Sequence, residues 1–246
     1  MAHMTKYTHP LVGPILAHNA RVGAGVADAT HIDPTRTPLN FCLHPDRGMS
    51  DYEYYAHRKS QLYCYGRSDV KTLIGWVCTL PRGVPSDQER EFFTTVYQFF
   101  CNRYGEENII QSIVHMDEEG QPHLHVCLIP AVPDPKHGGM KVCANSVATR
   151  CDLITFHPDL QRWLDERGIR ACVNNGISAV IGRNLRVDEI KRGALDLLLG
   201  VSIDVEPGDA QSDTIDWQVE FEAIVSTAQS DSAIEFSMEE ELEIDF

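Results

Sequence analysis

The chain has 246 residues, 43% of them hydrophobic, and a formal net charge of −15, a length that suits one large domain or one domain with an appendage. It has no apolar run of about 18 residues or more, so no membrane-spanning helix is expected, and the N-terminus lacks the basic-then-apolar layout of a secretion signal. Fourteen of the 36 acids lie in 201–246, which hold no Lys or Arg, leaving 22 acids against 21 bases in residues 1–200; this describes a near-neutral body with an acidic tail, so whole-chain charge says nothing about the body's partners.

Met1-Ala2-His3 looks like a cloning remnant, with Met4 as the native start. Residues 5–50, punctuated by Pro10, Pro14, Pro34, Pro38 and Pro45, are predicted as short extended pieces and loops. Residues 50–66 are rich in Tyr, His and Arg and suit either helix or loop. Residues 71–80 alternate toward a strand closed by Pro81. Ser86-Asp87-Gln88-Glu89 has the spacing of a capping box, with Ser86 at N-cap and Glu89 at N3. The helix it opens carries Phe92, Phe93, Val96, Phe99 and Phe100 on one stripe and ends at Gly105. Leu153, Phe156, Leu160, Trp163 and Leu164 make a second stripe, in which Pro158 must kink the helix or start a new one, and Gly168 stops it. Residues 171–181 admit a further strand. In the tail, Ile215, Trp217, Val219, Phe221 and Ala223 alternate with polar residues, which predicts half-buried strands with an acidic outer face. None of the eight cysteines forms a Cys-x-x-Cys pair, as expected of reduced thiols in a cytoplasmic protein.

Between the two helical stripes stands the stretch His115-Met116-Asp117-Glu118-Glu119-Gly120-Gln121-Pro122-His123-Leu124-His125. Its flanks have strand character, and 119–122 supply turn chemistry. Side chains two apart on a strand share a face, so His123 and His125 point the same way, and a hairpin sets His115 beside them. Three imidazoles converging with carboxylates alongside suit a divalent metal with open coordination positions. A surface hairpin with incidental histidines is the bland alternative. A hydrolytic zinc site is another, but it wants Asp and a further His after the pair, where Val126 to Pro130 is apolar.

The chain resembles the Pre/Mob (MobV) plasmid mobilisation and recombination relaxases of the HUH endonuclease superfamily. The resemblance rests on five blocks in family order: His18-Asn19-Ala20-Arg21; His31-Ile32-Asp33-Pro34-Thr35-Arg36 running to Asn40; Tyr104 to Asn108 with the histidine hairpin; Phe156-His157-Pro158-Asp159-Leu160-Gln161; and Gly182-Arg183-Asn184 to Lys191. It implies an α+β fold, an antiparallel sheet flanked by helices with the metal on one sheet face. The expected organisation is a relaxase domain over 1–192 and an acidic segment over 193–246 made of short β-strands. It implies site- and strand-specific nicking of plasmid origin DNA by transesterification, with His115, His123 and His125 holding Mn²⁺ or Mg²⁺. His18 is then the nucleophile, Arg21 braces the phosphate, and Glu118 is the proton acceptor or supports the ligands. Asn19, Arg36, Asn40 and Arg183 are expected on the DNA. The turn is one residue longer than the family pattern, which leaves the carboxylate role open between Glu118 and Glu119.

Each assignment has a rival. A tyrosine among Tyr52, Tyr54, Tyr55, Tyr63 and Tyr65 is the alternative nucleophile, or that run is core or a base-stacking surface. His31 and His157 are expected to be structural, and Asp33 to pair locally with Arg36. At the level of function, the alternatives are a non-cleaving DNA-binding regulator on the same fold and a metal-dependent hydrolase of small substrates. The acidic tail is expected to guard a basic DNA groove, to dock a partner protein, or to be a plain appendage.

Overall fold

The structure is a computed structural model that describes residues 2–23, 32–118 and 120–173. Five strands, β1 (Ala2–Thr8), β2 (Phe41–Cys42), β3 (Lys71–Thr79), β4 (Ile109–His115) and β5 (His123–Leu128), form one antiparallel sheet in the order β1-β3-β5-β4-β2. The helices are α1 (Val12–Asn19), α2 (Asp51–Ser60), α3 (Glu89–Tyr104), α4 (Ala144–Val147) and α5 (Arg150–Asp165), and a small hairpin of β6 (Ala131–Pro133) and β7 (Met140–Val142) follows β5. This is the α+β architecture the sequence predicts.

Period-two alternation divides the apolar residues between two cores. On one sheet face Ile74, Trp76, Val114, Leu124, Val126 and Leu128 pack against the phenylalanine stripe of α3 and against Phe156, Leu160 and Leu164 of α5. The other face is only partly covered: Val12, Ile15 and Leu16 of α1 and Tyr55 of α2 close over Leu73, Ile110 and Cys127. The histidine end of β4 and β5 lies on this second face. Phe156 stacks on Trp76 at 4.0 Å between ring centroids and meets Phe99 at 5.4 Å. Phe156→Ala is expected to lower unfolding free energy by about 3–5 kcal/mol, read by urea denaturation; a loss under about 1 kcal/mol contradicts its place in the core.

Some local expectations are corrected and others are met. Residues 5–50 hold the expected short extended pieces, in β1 and β2, but also the helix α1. Pro14 sits in the first turn of α1, where a missing N–H leaves no bond unmade. Ala2, His3 and Met4 belong to β1 and pair with Cys78, Val77 and Trp76. Ser86 does not cap α3, because Ser86–Gln88 wind as a tight 3₁₀ turn after the extended Pro85 and the α-helix starts only at Glu89. True capping boxes stand at Ser50 with Glu53, and at Thr149 with Asp152. Pro158 does not start a new helix, since α5 runs through it. The carbonyl deprived of its donor belongs to Ile154, 65% exposed, where solvent can take the bond. Leu153 faces outward rather than joining the buried stripe. His157 is structural: its Nε2 accepts from the Ala2 N–H at 3.1 Å. Asp33 pairs locally with Arg36, whose N–H donates to the Asp33 carbonyl at 3.0 Å, while its carboxylate accepts from both N and Oγ1 of Thr35. His31, Glu119, Arg183 and everything after residue 173, including the predicted tail strands, lie outside the described residues.

Candidate metal centre

Pairing of β4 with β5 sets His115 opposite His123 and Ile113 opposite His125, so the three imidazoles share one sheet face. The intervening turn is closed by Gly120 in the left-handed region at φ 97°. Ring centroids lie 5.4 Å apart for His115 and His123, 4.4 Å for His115 and His125, and 4.9 Å for His123 and His125. Glu118 completes the group, with one ligand atom from each of the four residues within 4.8 Å of the others, and all four are buried.

The hydrogen bonds orient these rings for a cation. His115 Nε2 is 2.8 Å from the Asn19 carbonyl, which can only accept, so Nε2 carries the proton and Nδ1 presents its lone pair. Nδ1 lies 3.1 Å from Arg21 Nη2, which donates to it, and 3.1 Å from Glu118 Oε1. In the same way His123 Nδ1 donates to the Gln121 carbonyl at 3.2 Å, which turns Nε2 toward Glu118 Oε2 at 3.5 Å. Imidazoles that donate outward to backbone carbonyls and face a carboxylate with the other nitrogen are oriented as metal ligands are. Burial first, then the neighbouring imidazoles, push the His125 pKa well down, so its ring is neutral near pH 7, as a ligand must be. The donor set of three nitrogens and a carboxylate oxygen therefore fits a divalent ion.

Arg21 braces this group from behind. Its backbone is left-handed at φ 57°, which turns the chain sharply after α1. The guanidinium, 5% exposed, grips Asp117 with Nε to Oδ2 at 3.0 Å and Nη2 to Oδ1 at 2.9 Å, and Nη2 also donates to Glu118 Oε1. The resemblance puts Arg21 on the phosphate; in the structure Nε and Nη2 serve Asp117, Glu118 and His115 Nδ1, while Nη1 turns to His18. Nη1 lies 3.4 Å from His18 Nε2, so that nitrogen offers its lone pair to the arginine. His18 thus stands at the end of α1, half-buried, beside the cluster.

Asp117 is a residue the sequence reading passes over. Besides Arg21 it accepts from Thr37 Oγ1 at 2.9 Å, and its carbonyl accepts from the Asp33 N–H, which ties the second motif's loop to the hairpin. Its signal was a second carboxylate flanking Glu118 in the hairpin. Burial raises its pKa, but the hydrogen bonds and charge of Arg21 with the bonds from Thr37 and Asn40 outweigh this and bring it to about 2, below the ordinary 3.8. The folded value is the lower one, so the ionised group contributes fully above about pH 4 and loses that contribution as pH falls through about 2. Asp117→Asn is expected to flatten the fall in stability over that window, by on the order of 2 kcal/mol, in urea melts at stepped pH; an unchanged slope contradicts the assignment.

The expected DNA contacts fare differently. Asn19 is 4% exposed, and its side chain donates to Gln111 Oε1 at 3.0 Å, so it serves the interior and not a DNA surface. Asn40 is half-buried and spends its Oδ1 on the Met116 N–H at 2.7 Å, holding the end of β4. Arg36 stands half-buried on the loop tied to Asp117. Among the tyrosines, Tyr55 is fully buried with its hydroxyl on Thr72, Tyr54 donates to the Glu107 carbonyl, and Tyr63 stacks on His137 at 4.0 Å.

A family model described as plasmid recombination enzyme matches residues 1–189. The plasmid recombination enzyme of Lactiplantibacillus plantarum is 29% identical over 167 residues, covering 65% of this chain and 44% of the relative. That of Streptococcus agalactiae is 28% identical over 208 residues, covering 81% and 40%. The chain thus spans less than half the length of these relatives. Among solved structures, the Mn-bound MobM relaxase domain in complex with plasmid oriT DNA is 26% identical, with a TM-score of 0.60 over 78% of this chain and 97% of that one.

Proposed function

Because this chain belongs to the plasmid recombination enzyme family, we propose that residues 1–192 form a relaxase domain. On this reading it nicks plasmid origin-of-transfer DNA on one strand and stays covalently joined to the cut end. The observation that carries it is the buried group of His115, His123, His125 and Glu118 with His18 at its edge. Support comes from the likeness to MobM, whose relaxase domain was solved with Mn and oriT DNA.

His115, His123, His125 and Glu118 would hold Mn²⁺ or Mg²⁺. When bound, such an ion supplies positive charge to the phosphate oxygens and fixes the phosphate in place. His18 is the nucleophile: a lone pair on its ring attacks phosphorus, a P–N bond forms as the bond from phosphorus to the 3′ oxygen breaks, and the leaving oxygen takes up a proton. The proton on the other ring nitrogen passes to solvent, and the phosphoramidate keeps the energy needed for rejoining. Arg21 presents the imidazole through Nη1 and fixes Glu118 through Nη2. Glu118 lies among the imidazoles, which suits a ligand better than a proton acceptor for His18. Arg36 is proposed on the DNA path.

The test is supercoiled plasmid carrying the cognate origin, incubated with the full chain and Mn²⁺. Nicked circles with protein attached at the cut 5′ end are expected. Binding without nicking favours the non-cleaving regulator and overturns the reading.

A further inference from the structure

The sheet face that carries the histidines holds a second polar device that the proposed chemistry does not use. Gln111 lies on β4 four residues from His115, a separation of about 13 Å along a strand, too far for its amide to touch a bound ion. It is 1% exposed and makes three hydrogen bonds. Its Oε1 accepts from Asn19 Nδ2 at 3.0 Å, and its Nε2 donates to the Leu16 carbonyl at 3.0 Å and to Asp51 Oδ2 at 2.7 Å. Asp51 in turn meets His44 Nε2 at 3.0 Å through its other oxygen. One amide therefore clasps the last turn of α1 at two points and ties it to the first residue of α2. A register shift between Ile109 and Gln111 sets this up: Ile109 packs in the α3 and α5 core, while Ile110 lies in the core under α1 and α2.

That turn of α1 carries two groups of the proposed site. His18 projects from it, and the Asn19 carbonyl is the acceptor on Nε2 of His115 that, with the Arg21 Nη2 donor on Nδ1, sets that ring's tautomer. Asn19 is held at its side chain by Gln111 and by Cys127 Sγ at 3.4 Å, so its carbonyl has one place to be. We propose that Gln111 is a positioning residue that, through Asn19, selects the metal-binding tautomer of His115 and the placement of His18. The inference rests on reading the histidine cluster as a metal centre.

Gln111→Leu in the full chain removes the clasp. Partners at this distance from a metal typically alter its affinity 10–100-fold, so Mn²⁺ binding, followed by electron paramagnetic resonance titration, is expected to weaken by about that factor. In the metal-free variant, ¹⁵N NMR of the imidazoles is expected to show His115 losing its single Nε2–H tautomer while His123 keeps its own. A fall in stability with the His115 tautomer and Mn²⁺ affinity both unchanged makes Gln111 merely structural and overturns the proposal. Should Gln111→Leu fail to fold, Gln111→Glu sets a carboxylate against Asp51 and is expected to weaken Mn²⁺ likewise. Adding Asp51→Asn supplies a donor to that carboxylate and restores affinity to within about threefold; no recovery over the single variant also overturns it. Wild-type nicking is measured in parallel. A wild type that binds Mn²⁺ without nicking removes the relaxase reading and leaves this one standing.

Discussion

His18→Ala is expected to abolish the covalent protein–DNA product while leaving Mn²⁺ affinity within about threefold of wild type. Loss of a nucleophile in a covalent mechanism costs on the order of 10⁴–10⁶ in rate, because no neighbouring group inherits the attack. Metal affinity is spared because His18 is not one of the four residues whose ligand atoms converge. The two readouts separate the roles: adduct by intact mass after incubation with a scissile oligonucleotide, metal by titration. An adduct that persists in the variant assigns the nucleophile elsewhere. Of the tyrosines named as rivals, Tyr55 is already excluded by its burial and its bond to Thr72, leaving Tyr52, Tyr63 and Tyr65 as exposed candidates to map.

Arg21→Ala is the second large effect, and it is first an effect on stability. Asp117 and Glu118 are both buried, and the arginine answers both. Taking one partner out of a buried ion pair strands charge in a poor solvent and costs about 3–5 kcal/mol. Here two carboxylates are stranded, so the upper end is expected in urea unfolding of the metal-free chain. Arg21→Lys is expected to recover little, since a single ammonium cannot span Asp117, Glu118 and His18 as the fork does. Saturating Mn²⁺ should offset part of the loss, because the ion replaces the positive charge beside Glu118 and stabilises the folded state by mass action. A variant within about 1 kcal/mol of wild type without metal shows that the guanidinium does not hold the carboxylates.

Much of the fold and of the centre is legible from local pattern. The alternation of His123 and His125 with Leu124, Val126 and Leu128 fixes which face of β5 is polar, and the phenylalanine stripe fixes which helix covers the other. What local pattern does not carry is long-range partnership. Nothing adjacent to Asn19 says that its side chain will meet Gln111, 92 positions away, so a polar residue in a block that the resemblance sets on DNA invites a surface role. The carboxylate partners of Arg21 are hidden for the same reason, lying 96 and 97 residues on. Ser86 misleads in the other direction: the capping spacing is present, but Pro85 and a 3₁₀ turn postpone the helix.

The central claim is that three imidazoles and one carboxylate grip a divalent ion next to His18. Calorimetric titration of Mn²⁺ into the metal-free full chain at pH 7, beside a His123→Ala/His125→Ala variant, tests it most directly. One ion per chain is expected for wild type, with affinity at least about 100-fold weaker in the variant, as befits loss of two of four ligands. A flat wild-type titration, or equal affinities in the two proteins, contradicts the account.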